Sequence, residues 1–423
     1  MLDLKLIRSD PERIKAALGR RGAAEQVDEL LILDARRREL LPRIEGAQAE
    51  RKTISKQIGE AKQRGEDAEE QMRAVQDLKQ TIESGKAELE SVEAELQQIA
   101  TALPNLPDPD APDGMTEEDA VVLREEGEPP SFDFEPRDHL DICTDLGLID
   151  MEAGARVSGS RFAYLKGDLV LLELALVRFA LELVRGEGHE PVVPPVLVRE
   201  EALHGTGFLP GDRDQIYEIP KDELFLVGTS EVPLAALHAD EILAVDQLPL
   251  RYAGFSTCFR REAGAAGRDT RGIFRVHQFD KVEMFSFVEP DQSAAEHERL
   301  LAIEERILTE LEIPYRVVNV AAGDLGAPAA KKYDCEAWIP SQGRYRELTS
   351  CSNTTDYQAR RLGCRYRPSD GAAALPLHTL NGTALAVGRT MIALIENRQE
   401  REGGFTLPTI LHSYGSPERI GAR

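Results

Sequence analysis

Apolar residues recur at alternating four- and three-residue steps along two neighbouring stretches of the N-terminal quarter of the chain. The first stretch holds this repeat at Leu33, Leu40, Ile44, Ala47, Ile54, Ile58 and Ala61. After Gly65 the repeat resumes at Val75, Leu78, Ile82, Gly85, Leu89, Val92, Leu96, Ile99 and Leu103. Two heptad helices joined by a short polar turn predict an antiparallel coiled-coil hairpin. Helices of about 30 residues would each be roughly 45 to 50 Å long.

The two predicted helices differ in charge. Residues 36–64 contain nine Lys or Arg and four Glu, whereas residues 65–100 contain three Lys or Arg and ten Asp or Glu. Exposed charges on an ordinary coiled-coil surface would explain this difference. A basic first helix is also where a phosphate backbone would bind, although Arg37 and Arg51 occupy seam positions of the repeat.

A proline-rich acidic segment follows the second helix. Residues 104–137 include the runs LPNLPDPDAPDG and REEGEPP, and prolines favour an extended linker. The sequence therefore predicts three parts: an N-terminal coiled-coil domain over 1–103, a linker over 104–137, and a mixed α/β domain over 138–423. Within the last part, an apolar helix over about 168–185 precedes a predicted edge strand, HEPVVPPVLV, in which proline is tolerated only at an edge or an end.

The most informative stretch runs from Phe255 to Phe287. Apolar and polar residues alternate on both sides of a connection, Ala263 to Gly272, which predicts an antiparallel hairpin with a functional loop. Gly264, Gly267 and Gly272 would let the backbone approach a ligand closely. Guanidinium groups suit a polyphosphate, and five surround this loop: Arg260, Arg261, Arg268, Arg271 and Arg275. A solvated hairpin with surface ion pairs is the alternative interpretation.

Two later segments carry further candidate chemistry. A predicted strand includes Glu347, Thr349 and Ser350, whose oxygens suit Mg²⁺ beside a triphosphate. Near the C-terminus a strand passes into a helix at Gly388 and Arg389. A helix N-terminus with an arginine is an anion site.

Composition limits the classes of function. A net charge of −24 excludes non-specific nucleic-acid binding through a global positive field. None of the five cysteines forms a CxxC pair, so neither a disulfide framework nor a zinc site is expected. The N-terminus does not resemble a signal peptide, and charged residues interrupt the apolar run 169–184, so we expect neither secretion nor a membrane span.

These segments together resemble the seryl-tRNA synthetase family of class II aminoacyl-tRNA synthetases. FRREAG followed by GIFRVHQFDKVEMF resembles motif 2, the 168–198 region resembles motif 1, and LNGTALAVGRTMIALIENRQ resembles motif 3. LFLVGTSEVPL and the coiled-coil arm are similar to features of the bacterial seryl enzymes. The resemblance implies an α+β fold, in which an antiparallel sheet is flanked by helices and carries an N-terminal helical arm. It also implies a cytoplasmic homodimer that joins serine to serine tRNA, and to selenocysteine tRNA where present.

The resemblance also implies roles for individual residues. Arg260 and Arg389 would be catalytic, and Glu347 and Ser350 would bind Mg²⁺. The implied serine-binding residues are Thr229, Ser230, Glu231, Glu283 and Thr383. The implied ATP-binding residues are Arg260, Arg261, Glu262, Val276, Phe279, Glu347, Leu348, Thr349, Ser350 and Arg389. Those implied to bind tRNA are Lys52, Lys56, Lys62 and Arg64.

Three other interpretations make different predictions. An enzyme that aminoacylates a carrier protein should lack the long arm, and a catalytically inactive paralogue should have lost Arg260, Glu283 or Arg389. A plain coiled-coil interaction protein would leave residues 138–423 unexplained. His277, His378 and Cys351 have no second metal ligand at a suitable spacing, so we expect hydrogen bonding and packing from them.

Overall fold

A computed structural model describes residues 2–263, 269 and 271–421. The predicted loop residues Gly264, Gly267 and Arg268 lie outside these ranges. The chain divides into two compact units, Met1–Leu103 and Pro104–Arg423. No helix in the described ranges is long and apolar enough to cross a membrane.

Over residues 2–103, the described part of the first unit, there are four helices: α1 (Leu4–Ser9), α2 (Pro11–Gly19), α3 (Glu25–Gln63) and α4 (Glu69–Ala102). The long helices α3 and α4 pack together as the predicted coiled-coil arm, with Leu40 and Ile44 buried against Val92. The two helices approach closely at Gly85, a heptad position of α4. A Cβ at this position would lie only 3.0 Å from Ile44 Cγ1, so a residue without a side chain fits there. Arg37 lies at the edge of the seam and donates to Glu93 Oε1 on the other helix at 2.8 Å.

The helices of the second unit are α5 (His139–Asp145), α6 (Met151–Ser158), α7 (Asp168–Gly186), α8 (Glu200–Thr206), α9 (Glu231–Ala235), α10 (Ser293–Glu310), α11 (Tyr357–Arg361), α12 (Val387–Asn397) and α13 (Thr409–His412). Its first nine strands are β1 (Val121–Glu126), β2 (Ile149–Asp150), β3 (Tyr164–Leu165), β4 (Glu190–Val192), β5 (Leu197–Val198), β6 (Glu218–Ile219), β7 (Leu224–Leu226), β8 (Ile242–Ala244) and β9 (Leu250–Phe259). The remaining strands are β10 (Gln278–Val288), β11 (Tyr315–Asn319), β12 (Lys331–Ile339), β13 (Arg344–Thr355), β14 (Arg365–Arg367), β15 (Leu375–Pro376), β16 (His378–Ala386), β17 (Phe405–Thr406) and β18 (Arg419–Ile420).

One large sheet organises the second unit, with the strand order β1-β11-β12-β13-β16-β10-β9-β4. Neighbouring strands are antiparallel except for β4, which is parallel to β9. Helices α7, α10 and α12 pack on this sheet through a continuous apolar core. The fold is therefore the antiparallel sheet flanked by helices that the sequence predicts.

Two segments differ in detail from the sequence-based expectation. Residues 104–137, predicted as a linker, belong to the second unit and pack against the rest of it, since β1 pairs with β11 and Asn105 donates to the Thr354 carbonyl at 2.8 Å. The predicted strand over 189–198 is divided into β4 and β5, which are separated by Pro194 and Pro195. Proline lacks the N–H that a continuous ladder requires, so the strand breaks there.

Candidate active site

Strands β9 and β10 form the hairpin predicted from the alternating pattern, with Glu283 opposite Gly254 and Phe279 opposite Cys258. The returning strand begins at Gln278, later than the alternation from Phe274 suggests. Phe274 is instead buried in the connection, where Arg346 and Arg389 lie over its ring at 4.1 and 4.8 Å from the centroid. This aromatic ring supports Arg389, which lines the site, and the neighbouring Arg346.

A cavity opens on the sheet beside this hairpin. It is lined by Arg260, Glu262, Ile273, Phe274, Arg275, Val276, Phe279, Lys281, Glu347, Leu348, Thr349, Ser350, Thr383, Ala386, Gly388 and Arg389. These side chains come from β10, β13, β16, the start of α12 and the connection before β10. Residues from the predicted motifs 2 and 3 therefore meet at one cavity.

Arg260 lies at the end of β9 and is held by backbone contacts on both sides. Its Nε donates to the Gly228 carbonyl at 3.1 Å, and its backbone N–H donates to the His277 carbonyl at 3.0 Å. Its guanidinium carbon lies 5.3 Å from the centroid of the Phe279 ring. These contacts orient the guanidinium toward the cavity before any ligand arrives, which lowers the entropic cost of binding an anion.

Arginines dominate the far end of the cavity. Arg389 donates to the Glu347 carbonyl at 2.9 Å from the first turn of α12. Burial lowers the pKa of Arg389, and the Glu347 carboxylate opposes this shift. Three other guanidinium groups lower the pKa of Arg389 further, those of Arg260, Arg275 and Arg346. Mutually repelling cations that burial deprives of water favour a polyanionic ligand.

Two acidic residues of the connection between β9 and β10, Glu262 and Asp269, form ion pairs with arginines of this cluster. Glu262 Oε2 accepts from Arg275 Nη1 at 2.6 Å, and Asp269 accepts from both terminal nitrogens of Arg346 at 3.0 and 2.7 Å. Arg261 is exposed, and its backbone N–H donates to the Gln215 carbonyl at 2.8 Å. Arg271 pairs with Asp138 at 2.7 Å instead of lining the cavity.

The Glu347 carboxylate is the hard oxygen donor of the cavity. Desolvation opposes its ionisation, but the charges of Lys332, Arg389 and Arg260 outweigh that effect and lower the pKa of Glu347 to about 2. Ser350 Oγ lies 3.3 Å from Glu347 Oε1. The described residues contain no cluster of three or more His, Cys, Asp or Glu side chains that could hold a metal ion. Mg²⁺ usually takes one or two protein carboxylates together with phosphates and water, so this pair fits it.

A second group of carboxylates, Glu231 and Glu283, lies at the start of α9 and on β10. Glu231 Oε1 accepts from Gln358 Nε2 at 2.7 Å and from Asn381 Nδ2 at 3.0 Å. Burial, together with the nearby Glu283 carboxylate, raises the pKa of Glu231 to about 7. Two buried carboxylates in proximity favour a cationic ligand group.

The remaining residues assigned to serine surround this pair. Thr383 Oγ1 donates to Glu283 Oε2 at 3.3 Å, and Lys281 forms an ion pair with the same carboxylate. Thr229 Oγ1 accepts from the Glu231 backbone N–H at 3.1 Å. Ser230 Oγ donates to the Gly254 carbonyl at 3.1 Å, so this hydroxyl attaches the loop to β9.

Sequence reasoning missed two residues that hold these carboxylates, Gln358 and Asn381. Lys281 lies two residues before Glu283 on β10, a spacing that places both side chains on one face of the strand. The spacing therefore identifies Lys281 as a candidate ion-pair partner of Glu283, and the structure shows that pair. Gln358 and Asn381 come from α11 and β16, and no local pattern links either residue to Glu231.

His277 and His378, from which the sequence analysis expects hydrogen bonding, both have hydrogen-bond partners. His277 Nδ1 lies 2.8 Å from the Arg260 carbonyl, and His378 Nδ1 lies 3.0 Å from Ser293 Oγ. Cys351 is buried in the apolar core. In the first unit, the four basic residues assigned to tRNA are exposed on α3 and at its end. Arg51 is also exposed, although the heptad register assigns it to the seam.

The antiparallel sheet and its arginine-lined cavity define the catalytic core of a class II aminoacyl-tRNA synthetase. The family model described as the tRNA synthetase class II core domain (G, H, P, S and T) matches residues 216–398. The model of the seryl-tRNA synthetase N-terminal domain matches residues 1–107.

Individual relatives are similar to this chain over nearly its whole length. The chain is 52% identical to a serine–tRNA ligase of Streptomyces coelicolor, with 98% of this chain and 97% of the relative covered. It is 50% identical to the serine–tRNA ligase of Thermobifida fusca over the same fractions. The crystal structure of the Pyrococcus horikoshii seryl-tRNA synthetase complexed with ATP matches with a TM-score of 0.93 at 41% identity, with both chains covered completely. The chain belongs to the seryl-tRNA synthetase family.

Proposed function

We propose that this site carries out the serine–tRNA ligase reaction of the family in two steps. A serine carboxylate oxygen attacks the α-phosphorus of ATP, the bond to the β-phosphate oxygen breaks, and pyrophosphate leaves. The terminal ribose hydroxyl of tRNA then attacks the seryl carbonyl, loses its proton and releases AMP. The observation that carries the proposal is the position of Arg260, which lies between a carboxylate pair suited to an ammonium group and an arginine cluster suited to phosphates.

The first step brings two anions together, so positioning and positive charge matter more than proton transfer. Arg260 contacts the serine carboxylate and the α-phosphate in this proposal. Its fixed contacts with Gly228 and His277 support that role because they orient the guanidinium in advance. Arg389 holds the γ-phosphate at the N-terminus of α12, where backbone N–H groups also favour an anion.

The nucleoside lies over the motif 2 hairpin. Phe279 stacks on adenine, and Glu262 and the Val276 backbone bond to its edge. Phe279, Glu262 and Val276 all line the cavity, which supports these roles. Arg261, Leu348 and Thr349 complete the ATP contacts, with Leu348 contributing through its backbone because its side chain is buried in the core.

Glu347 and Ser350 would hold Mg²⁺ with ATP. The metal, when bound, offsets phosphate charge. The lowered pKa of Glu347 supports this assignment because the carboxylate is ionised at any pH at which the enzyme would work. Lys332 contributes to that ionised state from β12.

Serine binds among Thr229, Ser230, Glu231, Glu283 and Thr383. The carboxylates receive its ammonium group, and the hydroxyl groups bond to its side-chain hydroxyl. Ser230 acts by holding the loop through Gly254. A site that pairs a hydroxyl rejects alanine because its own polar groups would stay unpaired.

Two proposals concern assembly. The chain forms a homodimer through α7, whose Leu171 and Leu174 are 49% and 59% exposed, more apolar surface than a helix usually leaves in water. The arm binds tRNA through Lys52, Lys56, Lys62 and Arg64 on its basic first helix. We place the enzyme in the cytoplasm, with serine tRNA, and selenocysteine tRNA where present, as its substrate.

Amino-acid-dependent exchange of pyrophosphate into ATP tests the activity. We expect exchange with serine in the presence of Mg²⁺, and rates lower by about two orders of magnitude or more with alanine and threonine. Adding serine tRNA should then yield seryl-tRNA. Exchange that is equal for all three amino acids would contradict the proposal.

A further inference from the structure

A buried carboxyl group that the proposed reaction does not use lies beneath the site. Glu304, on α10, is 0% exposed. Its Oε2 accepts a hydrogen bond from Thr349 Oγ1 on β13 at 2.7 Å. Alternation along β13 places Thr349 toward α10 and its neighbour Ser350 toward the cavity. The carboxyl group therefore contacts the opposite face of a strand that lines the active site.

The same carboxyl group reaches the two strands on either side of β13. Cys335 on β12 pairs directly with Thr349 in the sheet register, and its thiol lies close enough to the Glu304 carboxyl group for the two to interact electrostatically. On β16, a Cβ added to Gly382 would lie 3.0 Å from Glu304 Oε1, so the absence of a side chain at Gly382 gives the carboxyl group room. Glu304 thus touches three adjacent strands.

These contacts adjoin the residues that hold the substrate groups. Gly382 separates Asn381 from Thr383 on β16. Asn381 donates to Glu231 at 3.0 Å, and Thr383 donates to Glu283 at 3.3 Å. A shift of β16 relative to β13 would therefore change the distance between the serine-binding carboxylates and the Glu347–Ser350 pair.

Burial favours the neutral form of this group. Burial raises the pKa of Glu304 well above its ordinary value, the hydrogen bond from Thr349 opposes this, and the charges of Glu283 and Asp334 raise it further. Its Oε1, the oxygen near Gly382, has no hydrogen-bond partner among the described residues, so Glu304 contacts β16 by packing. The titratable groups that face it are Glu283 on β10, Asp334 and Cys335 on β12, and Cys351 on β13.

We propose that Glu304 is a positioning residue for serine activation, which hydrogen-bonds to β13 and packs against β12 and β16 beneath the sheet, and so keeps the serine-binding and metal-binding residues at the correct separation. The inference rests on the proposed function, because it assigns Glu304 an effect on that reaction. It adds a residue that contacts no substrate to the set that determines serine affinity.

The kinetic test compares Glu304→Gln, Glu304→Met and Leu308→Ala in pyrophosphate exchange. Gln keeps a neutral hydrogen-bonding group, so its KM for serine should stay within about twofold of that of the unchanged enzyme. Met fills similar volume without polar atoms, and its KM for serine should rise about tenfold, the effect of one lost buried hydrogen bond. Leu308→Ala, one turn along α10, controls for lost packing and should leave the KM for serine unchanged. A folded Met variant with an unchanged KM, or a Gln variant as impaired as Met, would overturn the inference.

A second measurement does not depend on activity and so separates this inference from the proposed function. Above its ordinary pKa, Glu304 is ionised in the unfolded chain but still protonated in the folded chain. The unfolding free energy of the unchanged protein therefore falls as pH rises toward the raised pKa. Glu304→Gln lacks this penalty, so its melting temperature relative to the unchanged protein should increase from about pH 5 to about pH 8. A constant difference over that range would contradict a neutral Glu304.

Discussion

The pKa of Glu231 makes a quantitative prediction about serine binding. Burial and the Glu283 carboxylate raise this pKa to about 7, against the opposing effects of Gln358, Lys281 and Arg260. A carboxyl group must be ionised to attract the ammonium group of serine. At pH 6 about one-tenth of such groups are ionised, and at pH 8 about nine-tenths are. The KM for serine should therefore be about tenfold higher at pH 6 than at pH 8.

The assay is serine-dependent pyrophosphate exchange at saturating ATP and Mg²⁺ over this pH range. Glu231→Gln keeps the size of the side chain but removes its titration. Its KM for serine should be raised at every pH and should no longer depend on pH. The KM for ATP should change little in either protein, because Glu231 does not line the cavity of Arg389.

Glu173→Gln is the matched control. The pKa of Glu173 is also raised to about 7, by burial and by Asp280, but Glu173 lies on α7 beside another cavity. This variant should keep the pH dependence of the KM for serine. A flat KM in the unchanged enzyme, or an unaltered pH dependence in Glu231→Gln, would refute the reasoning and assign the ammonium group to Glu283 alone.

Three further predictions concern catalysis, tRNA and assembly. Arg260→Ala should lower exchange by about 10² to 10³-fold, the usual effect of one preorganised donor, while circular dichroism shows an intact fold; normal exchange in the folded variant would remove Arg260 from the reaction. Replacing residues 30–103 with a Gly-Ser linker should preserve exchange but abolish charging of tRNA, and charge-neutral variants at Lys52, Lys56, Lys62 and Arg64 should raise the KM for tRNA and reduce its salt dependence. Unchanged charging without the arm would make the arm purely structural. Light scattering should give twice the 46.8 kDa chain mass, and a fully active monomer would contradict the proposed α7 interface.

The local pattern of the sequence was sufficient to predict the helical arm, the β9–β10 hairpin and the junction of β16 with α12. The heptad repeat predicted α3 and α4 because burial along a helix seam repeats at a fixed spacing. Strict alternation predicted β9 and β10 because successive side chains face opposite sides of a sheet. The strand-to-helix passage at Gly388 likewise predicted the junction of β16 and α12. Each of these signals lies within a few turns or one hairpin of the chain.

Only the tertiary structure determined how the site residues are held and charged. Gln358 and Asn381 reach Glu231 from positions 127 and 150 residues away, and the pKa of Glu231 depends on burial, on the Glu283 carboxylate and on the hydrogen bond from Gln358. Glu304 appears in the sequence as one more charged residue of an amphipathic helix, although it is fully buried under three strands. The pairing of β1 with β11 likewise joins residues far apart in the chain. Desolvation and Coulomb interactions depend on distance in space, so they could not be obtained from spacing along the chain.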